Sequence, residues 1–321
     1  MKMNRPLVVI TDTVFPDLQI TRDVLSPHCD LVVLKERGDE HLLPLLRDAA
    51  GVINCAVPLT PEHLNELRQC KVISRTGIGL DTIPVDVATA LRIKVANVPD
   101  YCLDEVADHT LALMPSLQGG ICRASSATRT GQWKAQTAGR LNRLRGQTLG
   151  LLGFGRIARS VAARATTFGF NIIAHDPYCE ADMFKAHGVG SVSLDELLAR
   201  SDVLSLHVPL TSASRHMIDA EAIARMKKGA ILDNTARGGL IDTAAVIDAV
   251  KREHLGGAGL DVLDQEPPPQ DQLTHGLDNV LITPHLAFYS EEAIEDLQRR
   301  SALAVADVLQ GKDPVHWANR W

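Results

Sequence analysis

The sequence has few aromatic residues, no excess of positive charge and no long apolar run. Phe, Trp and Tyr make up 4% of the 321 residues, and 33 Lys and Arg against 39 Asp and Glu give a net charge of −6. A nucleic-acid-binding surface needs basic residues and stacking rings, so this class of partner has no support. No apolar stretch reaches the roughly 18 residues of a membrane-spanning helix, which argues against membrane insertion.

The cysteines also lack any informative spacing. None forms a Cys-x-x-Cys pair or the pattern of a metal site, so we expect no metal centre. The six are Cys29, Cys55, Cys70, Cys102, Cys122 and Cys179. Unpaired cysteines are typical of a reducing compartment, and the N-terminus carries no long apolar segment of the kind found in signal peptides. The sequence therefore predicts a cytoplasmic protein.

A glycine-rich turn between an apolar strand and a helix is the most informative local pattern that is present. Residues 149–158 read Leu-Gly-Leu-Leu-Gly-Phe-Gly-Arg-Ile-Ala. Gly153 permits a tight turn, and Gly155 lets a pyrophosphate approach the backbone at the positive end of the helix dipole. Ala158 replaces the third glycine of the usual fingerprint and is small enough for close packing of helix on strand. An ordinary strand–turn–helix accounts for this pattern equally well.

Asp176 favours the nucleotide interpretation. It lies 21 residues after Gly155 and ends a second apolar run, residues 171–175. An acidic residue at this distance, at the tip of the next strand, is placed to bind the ribose hydroxyls of adenosine. Because its charge repels a 2′-phosphate, the sequence predicts NAD rather than NADP.

Short apolar runs alternate with helical patterns along the chain, which predicts α/β domains with parallel sheets. The first series of runs ends before Asn97, and a second series begins with the glycine-rich turn. Between them, Pro115 and the pair Gly119 and Gly120 are expected to kink or split a long helical pattern. A final helix from Ser290 is expected to return the chain to the first domain.

Three polar residues each follow the end of a predicted strand in the second domain. They are Arg237, Glu266 and His285, and strand ends in an open parallel sheet form one crevice. A guanidinium holds a carboxylate, a histidine exchanges a proton, and a carboxylate orients the histidine. Hydride transfer between NAD and a 2-oxo or 2-hydroxy acid needs this set. Taken singly, each residue also fits an ordinary loop role: satisfying carbonyls, facing solvent or capping a strand.

Two loops at strand ends of the first domain are candidates for binding. One contains Cys55 and Ala56, and the other runs from Arg75 through Gly77 and Ile78. The second places a cation beside a glycine turn, although a surface arginine before a turn explains the same pattern.

At these residues the chain resembles the D-isomer-specific 2-hydroxyacid dehydrogenase family, over nearly its whole length. The shared motifs are Gly150–Ala158 with Asp176, Asn234–Gly239, Gly259–Val262 with Glu266 and Pro267, and Thr283–His285. Within the family, residues 75–81 and 283–291 are most similar to the carboxy-terminal-binding-protein branch, with D-3-phosphoglycerate dehydrogenase close behind.

The resemblance implies two Rossmann- or flavodoxin-like doubly wound parallel-sheet domains with a cleft between them. Residues 1–101 plus 291–321 would form the substrate-binding domain and residues 102–290 the NAD-binding domain, through which a homodimer would form. The implied nucleotide contacts are Gly153, Gly155, Arg156, Ile157, Asp176, Val106, Val208, Pro209, Thr235, Ala236 and Asp261. The implied substrate contacts are Arg75, Cys55, Ala56, Gly77, Ile78 and Phe288.

The sequence thus predicts an NAD-dependent oxidoreductase that interconverts a small 2-oxo acid and its D-2-hydroxy acid. His285 would act as acid and base with Glu266, and Arg237 would hold the carboxylate. Two alternatives stay open: an NAD(H)-sensing interaction protein similar to the carboxy-terminal-binding co-repressors, and a D-3-phosphoglycerate dehydrogenase. The co-repressors have histidine and tryptophan where Cys55 and Phe288 stand. Formate dehydrogenases have glutamine in the position of Glu266, which argues against formate.

Overall fold

Strands and helices alternate along the chain in a computed structural model that describes residues 5–34, 38–269 and 276–321. The chain divides into two units, Met1–Tyr101 with Ser290–Trp321, and Cys102–Tyr289. In each unit, strands pair in parallel and helices connect them.

The strands lie in two sheets. In the first unit they are β1 (Leu7–Ile10), β2 (Asp30–Val33), β3 (Ala49–Asn54), β4 (Val72–Arg75) and β5 (Lys94–Ala96). In the second they are β6 (Thr148–Leu152), β7 (Asn171–His175), β8 (Gly190–Ser191), β9 (Val203–Leu206), β10 (Ala230–Asn234), β11 (Leu255–Leu260) and β12 (Val280–Ile282).

The helices of the first unit are α1 (Gln19–Leu25), α2 (Asp39–Asp48), α3 (Pro61–Asn65), α4 (Val85–Ala90) and the C-terminal α12 (Glu291–Leu309). Those of the second unit are α5 (Leu103–Gln118), α6 (Ile121–Arg129), α7 (Arg156–Ala165), α8 (Ala181–Ala186), α9 (Leu194–Arg200), α10 (Ala220–Arg225) and α11 (Thr243–Lys251). Over the parts of the chain that the structure describes, no helix combines the length and apolar character needed to cross a membrane.

Strand order identifies both sheets as doubly wound. The first sheet has the order β2-β1-β3-β4-β5, which is the flavodoxin-like order. The second has the order β12-β11-β10-β9-β6-β7-β8, which is the dinucleotide-binding order with one further strand at the β12 edge. The prediction of two doubly wound parallel-sheet units is therefore confirmed. In the second sheet the strand order reverses where β6 and β9 pair, and ligands of such sheets bind at that point.

Capping side chains set the start of several helices. The side chains of Thr60, Ser193, Asp219, Asp242 and Ser290 each accept a backbone N–H from the first turn of the helix that follows. Such a cap satisfies one of the N–H groups that a helix start leaves without a partner. Ser, Thr and Asp are the residue types that favour this position, so these helix starts follow from local chemistry.

Helix α5 ends at Gly119 and Gly120, where the sequence predicted a break, and Gly120 has φ 61 with Ala138 packed against its α-carbon. The helix is not split at Pro115, which lies inside it. The helix buries Thr110, Met114 and four other residues against α7, β10 and β11. This packing offsets the hydrogen bond that proline cannot donate, so tertiary contacts override the local signal.

Helix α12 completes the core of the first unit. Its buried face includes Ala302, Val305 and Val308, which pack with residues of β1 such as Val8. A Cβ at Gly51 in β3 would stand 3.1 Å from Val305, so the helix lies directly on the sheet. The C-terminal segment therefore packs within this unit.

Candidate active site

The turn after β6 contains two glycines, and the surroundings of their α-carbons differ. Gly153 has φ 91, and a Cβ there would stand 2.8 Å from the carbonyl oxygen of His207, so the protein itself requires glycine. Gly155 is the N-cap of α7, and no described atom lies within 4 Å of where its Cβ would be. Packing does not account for Gly155, whereas a phosphate at the helix N-terminus would occupy this space. Ala158 is fully buried behind the turn, as its predicted packing role requires.

Asp176 follows β7 directly and holds the same turn. Its Oδ2 accepts a hydrogen bond from the backbone N–H of Phe154 at 2.8 Å, and its Oδ1 accepts one from Tyr178 at 3.0 Å. Each carboxylate oxygen has a second lone pair, so ribose hydroxyls can still bind. The residues thus fit a dinucleotide at this turn.

Residues of the loop after β9 lie against the glycine turn. The backbone N–H of His207 donates to Leu152 at 2.7 Å, and the side chain of Val208 borders the α-carbon of Gly153. Pro209 follows and is exposed. Val208 and Pro209 therefore stand at the strand end where a nucleotide bound to the turn would pass.

A polar chain that is buried at Ser205 and Asp233 and partly buried at His207 lies at this strand end, and it was not identified from the sequence. The His207 ring meets Ser205 Oγ through Nε2 at 3.0 Å, and Ser205 Oγ donates to Asp233 Oδ2 at 2.8 Å. Burial, with a smaller contribution from Asp261, raises the pKa of Asp233 to about 8. Desolvation lowers the pKa of His207 to about 4. Both groups are therefore neutral at pH 7, which is how buried ionisable groups avoid the cost of an unpaired charge.

Glu266 and His285 form a direct hydrogen bond. His285 Nδ1 donates to Glu266 Oε2 at 2.6 Å, and the other oxygen of Glu266 accepts the Leu263 N–H at 2.8 Å. Partial burial opposes ionisation of Glu266. The pKa of Glu266 is nevertheless lowered, because the effect of burial is outweighed by the hydrogen bond and charge of His285, the Leu263 N–H and the charge of Arg237. The pair is thus arranged as a carboxylate that orients an imidazole.

Asp261 holds the backbone that carries His285. Its carboxylate, in a residue that is 2% exposed, accepts the N–H groups of Leu286 at 2.9 Å and Ala287 at 3.0 Å. The carbonyl oxygen of Asp261 accepts the N–H of His285 at 2.8 Å. His285 has φ 51, a left-handed conformation that is costly for a residue with a Cβ. These hydrogen bonds fix a backbone geometry that local preference alone would not select.

Arg237 lies in the loop after β10, and Asn234 shapes that loop. Asn234 Nδ2 donates to the carbonyl of Arg237 at 2.8 Å, and Asn234 Oδ1 accepts the N–H of Ala236 at 3.0 Å. A Cβ at Gly238 would collide with the backbone at Leu263, so this loop lies against the segment that leads to Glu266. The charge of Arg237 contributes to the lowered pKa of Glu266. The structure thus brings the three predicted catalytic residues to one end of the second sheet.

The remaining predicted contacts of the second unit lie at the same sheet end or on α5. The Oγ1 atoms of Thr235 and Thr110 are 2.9 Å apart, which ties α5 to the end of β10. Val106 lies one turn earlier on α5 and is 6% exposed. Phe288 stands edge-on to His285, with 6.1 Å between the ring centroids. Arg156 and Ile157 form the first turn of α7, beside Gly155.

In the first unit, the two predicted binding loops follow neighbouring strands. Asn54 of β3 pairs with Arg75 of β4, so the loops begin side by side. Arg75 Nη1 donates to the carbonyl of Thr76 at 2.7 Å, and its guanidinium covers Gly77, which has φ 149. The carbonyl of Ile78 accepts Asn97 Nδ2 at 2.7 Å.

Asp12 organises the first of these loops and was missed by the sequence analysis. Its Oδ1 accepts the N–H of Cys55 at 3.0 Å, and its Oδ2 accepts the N–H groups of Ala56 at 2.6 Å and Val57 at 3.0 Å. Burial is the main cause of a raised pKa of the Cys55 thiol. Asp12 lies two residues past the end of β1, and an acid at a strand end is the signal that could have identified it.

Comparison with known proteins agrees with this geometry. The family model described as D-isomer specific 2-hydroxyacid dehydrogenase, NAD binding domain, matches residues 111–287. D-3-phosphoglycerate dehydrogenase of Methanocaldococcus jannaschii is 40% identical over 307 residues, which are 95% of this chain and 58% of that protein. The chain thus spans little more than half the length of this relative. Hydroxypyruvate reductase of Thermotoga maritima is 41% identical over 261 residues, 80% of this chain and 82% of that protein.

Solved structures give the same result for the fold. D-lactate dehydrogenase of Aquifex aeolicus, complexed with NAD and lactic acid, superposes with a TM-score of 0.88 and 29% identity, covering 98% of this chain and 99% of that one. A glyoxylate reductase of Paecilomyes thermophila gives a TM-score of 0.88 at 28% identity, with 98% and 99% of the two chains covered. The second unit is an NAD-binding domain, and the chain belongs to the D-isomer-specific 2-hydroxyacid dehydrogenase family.

Proposed function

We propose that this protein is an NAD-dependent oxidoreductase that reduces a small 2-oxo acid to its D-2-hydroxy acid and catalyses the reverse reaction. The observation that carries the proposal is the His285–Glu266 hydrogen bond of 2.6 Å, with Arg237 close enough to affect the pKa of Glu266. Family membership supports the reaction type.

The chain's own residues would hold the cofactor at the glycine turn. The space over Gly155 and the N-terminus of α7 would take the pyrophosphate, and Asp176 would bind the adenosine ribose. Further proposed contacts are Val106, Arg156, Ile157, Gly153, Val208, Pro209, Thr235, Ala236 and Asp261. When bound, NADH supplies the hydride, and all other steps belong to the protein.

Each of the three catalytic side chains has a distinct role in the proposal. Arg237 would hold the substrate carboxylate by a two-point hydrogen bond and polarise the adjacent carbonyl. His285 would donate a proton to the carbonyl oxygen during reduction and remove it during oxidation. Because Nδ1 is bonded to Glu266, Nε2 is the nitrogen that exchanges this proton. Glu266 would hold the imidazole in this tautomer and stabilise its charged form.

We also propose that the first unit binds the substrate. The residues assigned to this role are Arg75, Gly77, Ile78, Cys55 and Ala56, with Phe288 beside His285 in the second unit. The relatives point to hydroxypyruvate, glyoxylate and lactate or pyruvate as substrates to try, and to 3-phosphoglycerate as the phosphorylated alternative.

The test is turnover by the purified protein, followed through the absorbance of NADH. NADH would be offered with hydroxypyruvate, glyoxylate, pyruvate and phenylpyruvate, and NAD with 3-phosphoglycerate. We expect turnover of at least one compound, and a loss of about a hundredfold or more in the variants H285Q and R237K. H254Q, which changes a partly buried histidine bonded to the Ile223 carbonyl, is the control.

Absence of turnover with every compound would contradict the proposal. If the protein is inactive but a pull-down recovers a stoichiometric protein partner only in the presence of NADH, the NAD(H)-sensing interpretation would be supported instead. Turnover with 3-phosphoglycerate alone would assign the phosphorylated substrate.

We further propose a homodimer formed through the second unit. Helix α6 has no buried residue, and Ile121 at its start is 57% exposed. Trp133 in the following segment is 88% exposed, although a large apolar side chain is costly to leave in water. A second copy of this surface would cover these side chains. Light scattering should give twice the chain mass for the parent and a shift towards the single chain for W133K.

A further inference from the structure

We propose that His109 is a positioning residue for His285, acting through Thr283 and Asp261. This inference rests on the proposed function, because it assigns a role in that reaction. His109 lies on α5 and ends a hydrogen-bonded chain that leads through Thr283 and Asp261 to the backbone of His285.

The chain has two links before it reaches the His285 loop. His109 Nε2 lies 3.0 Å from Thr283 Oγ1, and Thr283 Oγ1 donates to Asp261 Oδ1 at 2.5 Å. Since the threonine proton goes to the carboxylate, the imidazole is the donor in the first link. His109 Nε2 is also 3.6 Å from Asp261 Oδ1, so the ring faces the carboxylate directly.

Asp261 connects this hydrogen-bonded chain to three consecutive residues of the His285 loop. Its carboxylate binds the N–H groups of Leu286 and Ala287, and its carbonyl binds that of His285. The carboxylate side chain is 1% exposed, so water does not replace a lost donor readily. A rotation of this carboxylate would release the loop at the point where His285 holds φ 51.

His109 is itself held in place by its neighbour on the helix. Thr110 is bonded to Thr235 at 2.9 Å, so two consecutive residues of α5 contact the ends of β10 and β12. The ring is 17% exposed and therefore has few alternative partners in water. Helix α5 thus fixes the orientation of the Asp261 carboxylate. This matters for catalysis because a small shift of a catalytic group lowers the rate strongly.

The test compares variants at both links of the chain. H109L removes the donor, while H109Q keeps an N–H group at about the position of Nε2. T283V removes the hydroxyl, while T283S keeps it. H254L is the matched control, because His254 also makes one hydrogen bond, to the Ile223 carbonyl at 2.9 Å. For each protein we would measure kcat, the KM for the 2-oxo acid, the dissociation constant for NADH and thermal unfolding.

We expect H109L and T283V to lower kcat about tenfold, with KM and NADH affinity changed by less than about threefold. H109Q and T283S should stay within about threefold of the parent, and the double variant H109L/T283V should be no slower than the slower single one. The inference would be overturned if H109L had the same kinetics as H254L, or if H109L changed only the affinity for NADH. It would also be overturned if the losses in kcat of H109L and T283V were additive in the double variant. If H109L does not fold, T283V against T283S decides the same link. An inactive parent would contradict the proposed function instead.

Discussion

At the scale of single residues, one hydrogen bond joins Glu266 to the proposed proton donor. The hydrogen bond and charge of His285 help to lower the pKa of Glu266, so a negative charge lies beside the imidazole. Glutamine keeps an oxygen for Nδ1 but carries no charge. The rate of reduction should decline as the pH rises, because the proton donor loses its proton. We expect E266Q to shift this decline to lower pH.

The measurement is kcat/KM for reduction as a function of pH, which reports groups of the free enzyme. E221Q, at an exposed position of α10, is the control. A profile for E266Q that overlies the parent profile would show that Glu266 does not influence the proton donor.

Asp233 leads to a prediction about stability rather than catalysis. Its pKa is raised from an ordinary value near 3.8 to about 8, so the folded protein keeps a proton that the unfolded chain releases. Asp233 therefore contributes a fall of up to about 1.4 kcal/mol per pH unit in the free energy of unfolding as pH rises through this window. His207, whose pKa is lowered from 6.5 to about 4, contributes the opposite slope below about pH 6.5, so the effect of Asp233 is the difference between the parent and D233N. D233N is neutral at every pH and should remove this component.

Denaturant unfolding at several pH values between about 5 and 8 checks this slope. The contribution of Asp233 to the free energy of unfolding is greatest at the acid end of this pH range and is lost by its alkaline end. D182N, which changes a side chain that is 94% exposed, should keep the parent slope. Equal slopes for D233N and the parent would mean that Asp233 is ionised in the folded protein.

At the scale of structural elements, the glycine turn separates a folding requirement from a binding requirement. Gly155→Ser places a good N-cap residue at the start of α7, where no described atom would contact its Cβ. We expect the free energy of unfolding to stay within about 0.5 kcal/mol of the parent value, while NADH binding weakens at least about tenfold.

Gly153→Ala is the contrasting variant on the same turn. Its φ of 91 and the carbonyl of His207 at 2.8 Å predict a loss of stability in the absence of any cofactor. Denaturant unfolding and NADH fluorescence titration of both variants are the measurements. Unchanged NADH affinity in the serine variant would place the pyrophosphate elsewhere.

At the scale of the whole molecule, the two ends of the chain share one hydrophobic core in the first unit. Val305 of α12 is fully buried against β1 and β3, whereas Leu303 on the same helix is 43% exposed. Truncating a buried valine leaves a cavity, so V305A should lower the free energy of unfolding of the first unit by about 2 kcal/mol.

L303A is the matched control, and its effect should be within about 0.5 kcal/mol of zero. Denaturant unfolding followed by intrinsic fluorescence can detect this unit, because Trp317 and Trp321 lie in it. Equal effects of the two variants would show that α12 contributes little to the core.

Much of this protein was determined by its sequence alone, because the signals are local. Caps such as Ser193 and Asp242, the strand–turn–helix at Gly153 and the residue types of Arg237, Glu266 and His285 all act within a few positions of the chain. Their order along an α/β pattern is enough to predict parallel-sheet domains and one shared strand end, and the family resemblance implied that the sheets are doubly wound.

Only the tertiary structure decided which residues support the predicted binding loops and catalytic residues. Asp12 beneath the Cys55 loop, the Asp233–Ser205–His207 chain and the His109–Thr283–Asp261 chain join residues that are far apart in sequence. Helix α5 likewise continues through Pro115 because of what it packs against. Hydrogen bonds and burial between distant segments depend on the folded geometry, and a local pattern carries no information about them.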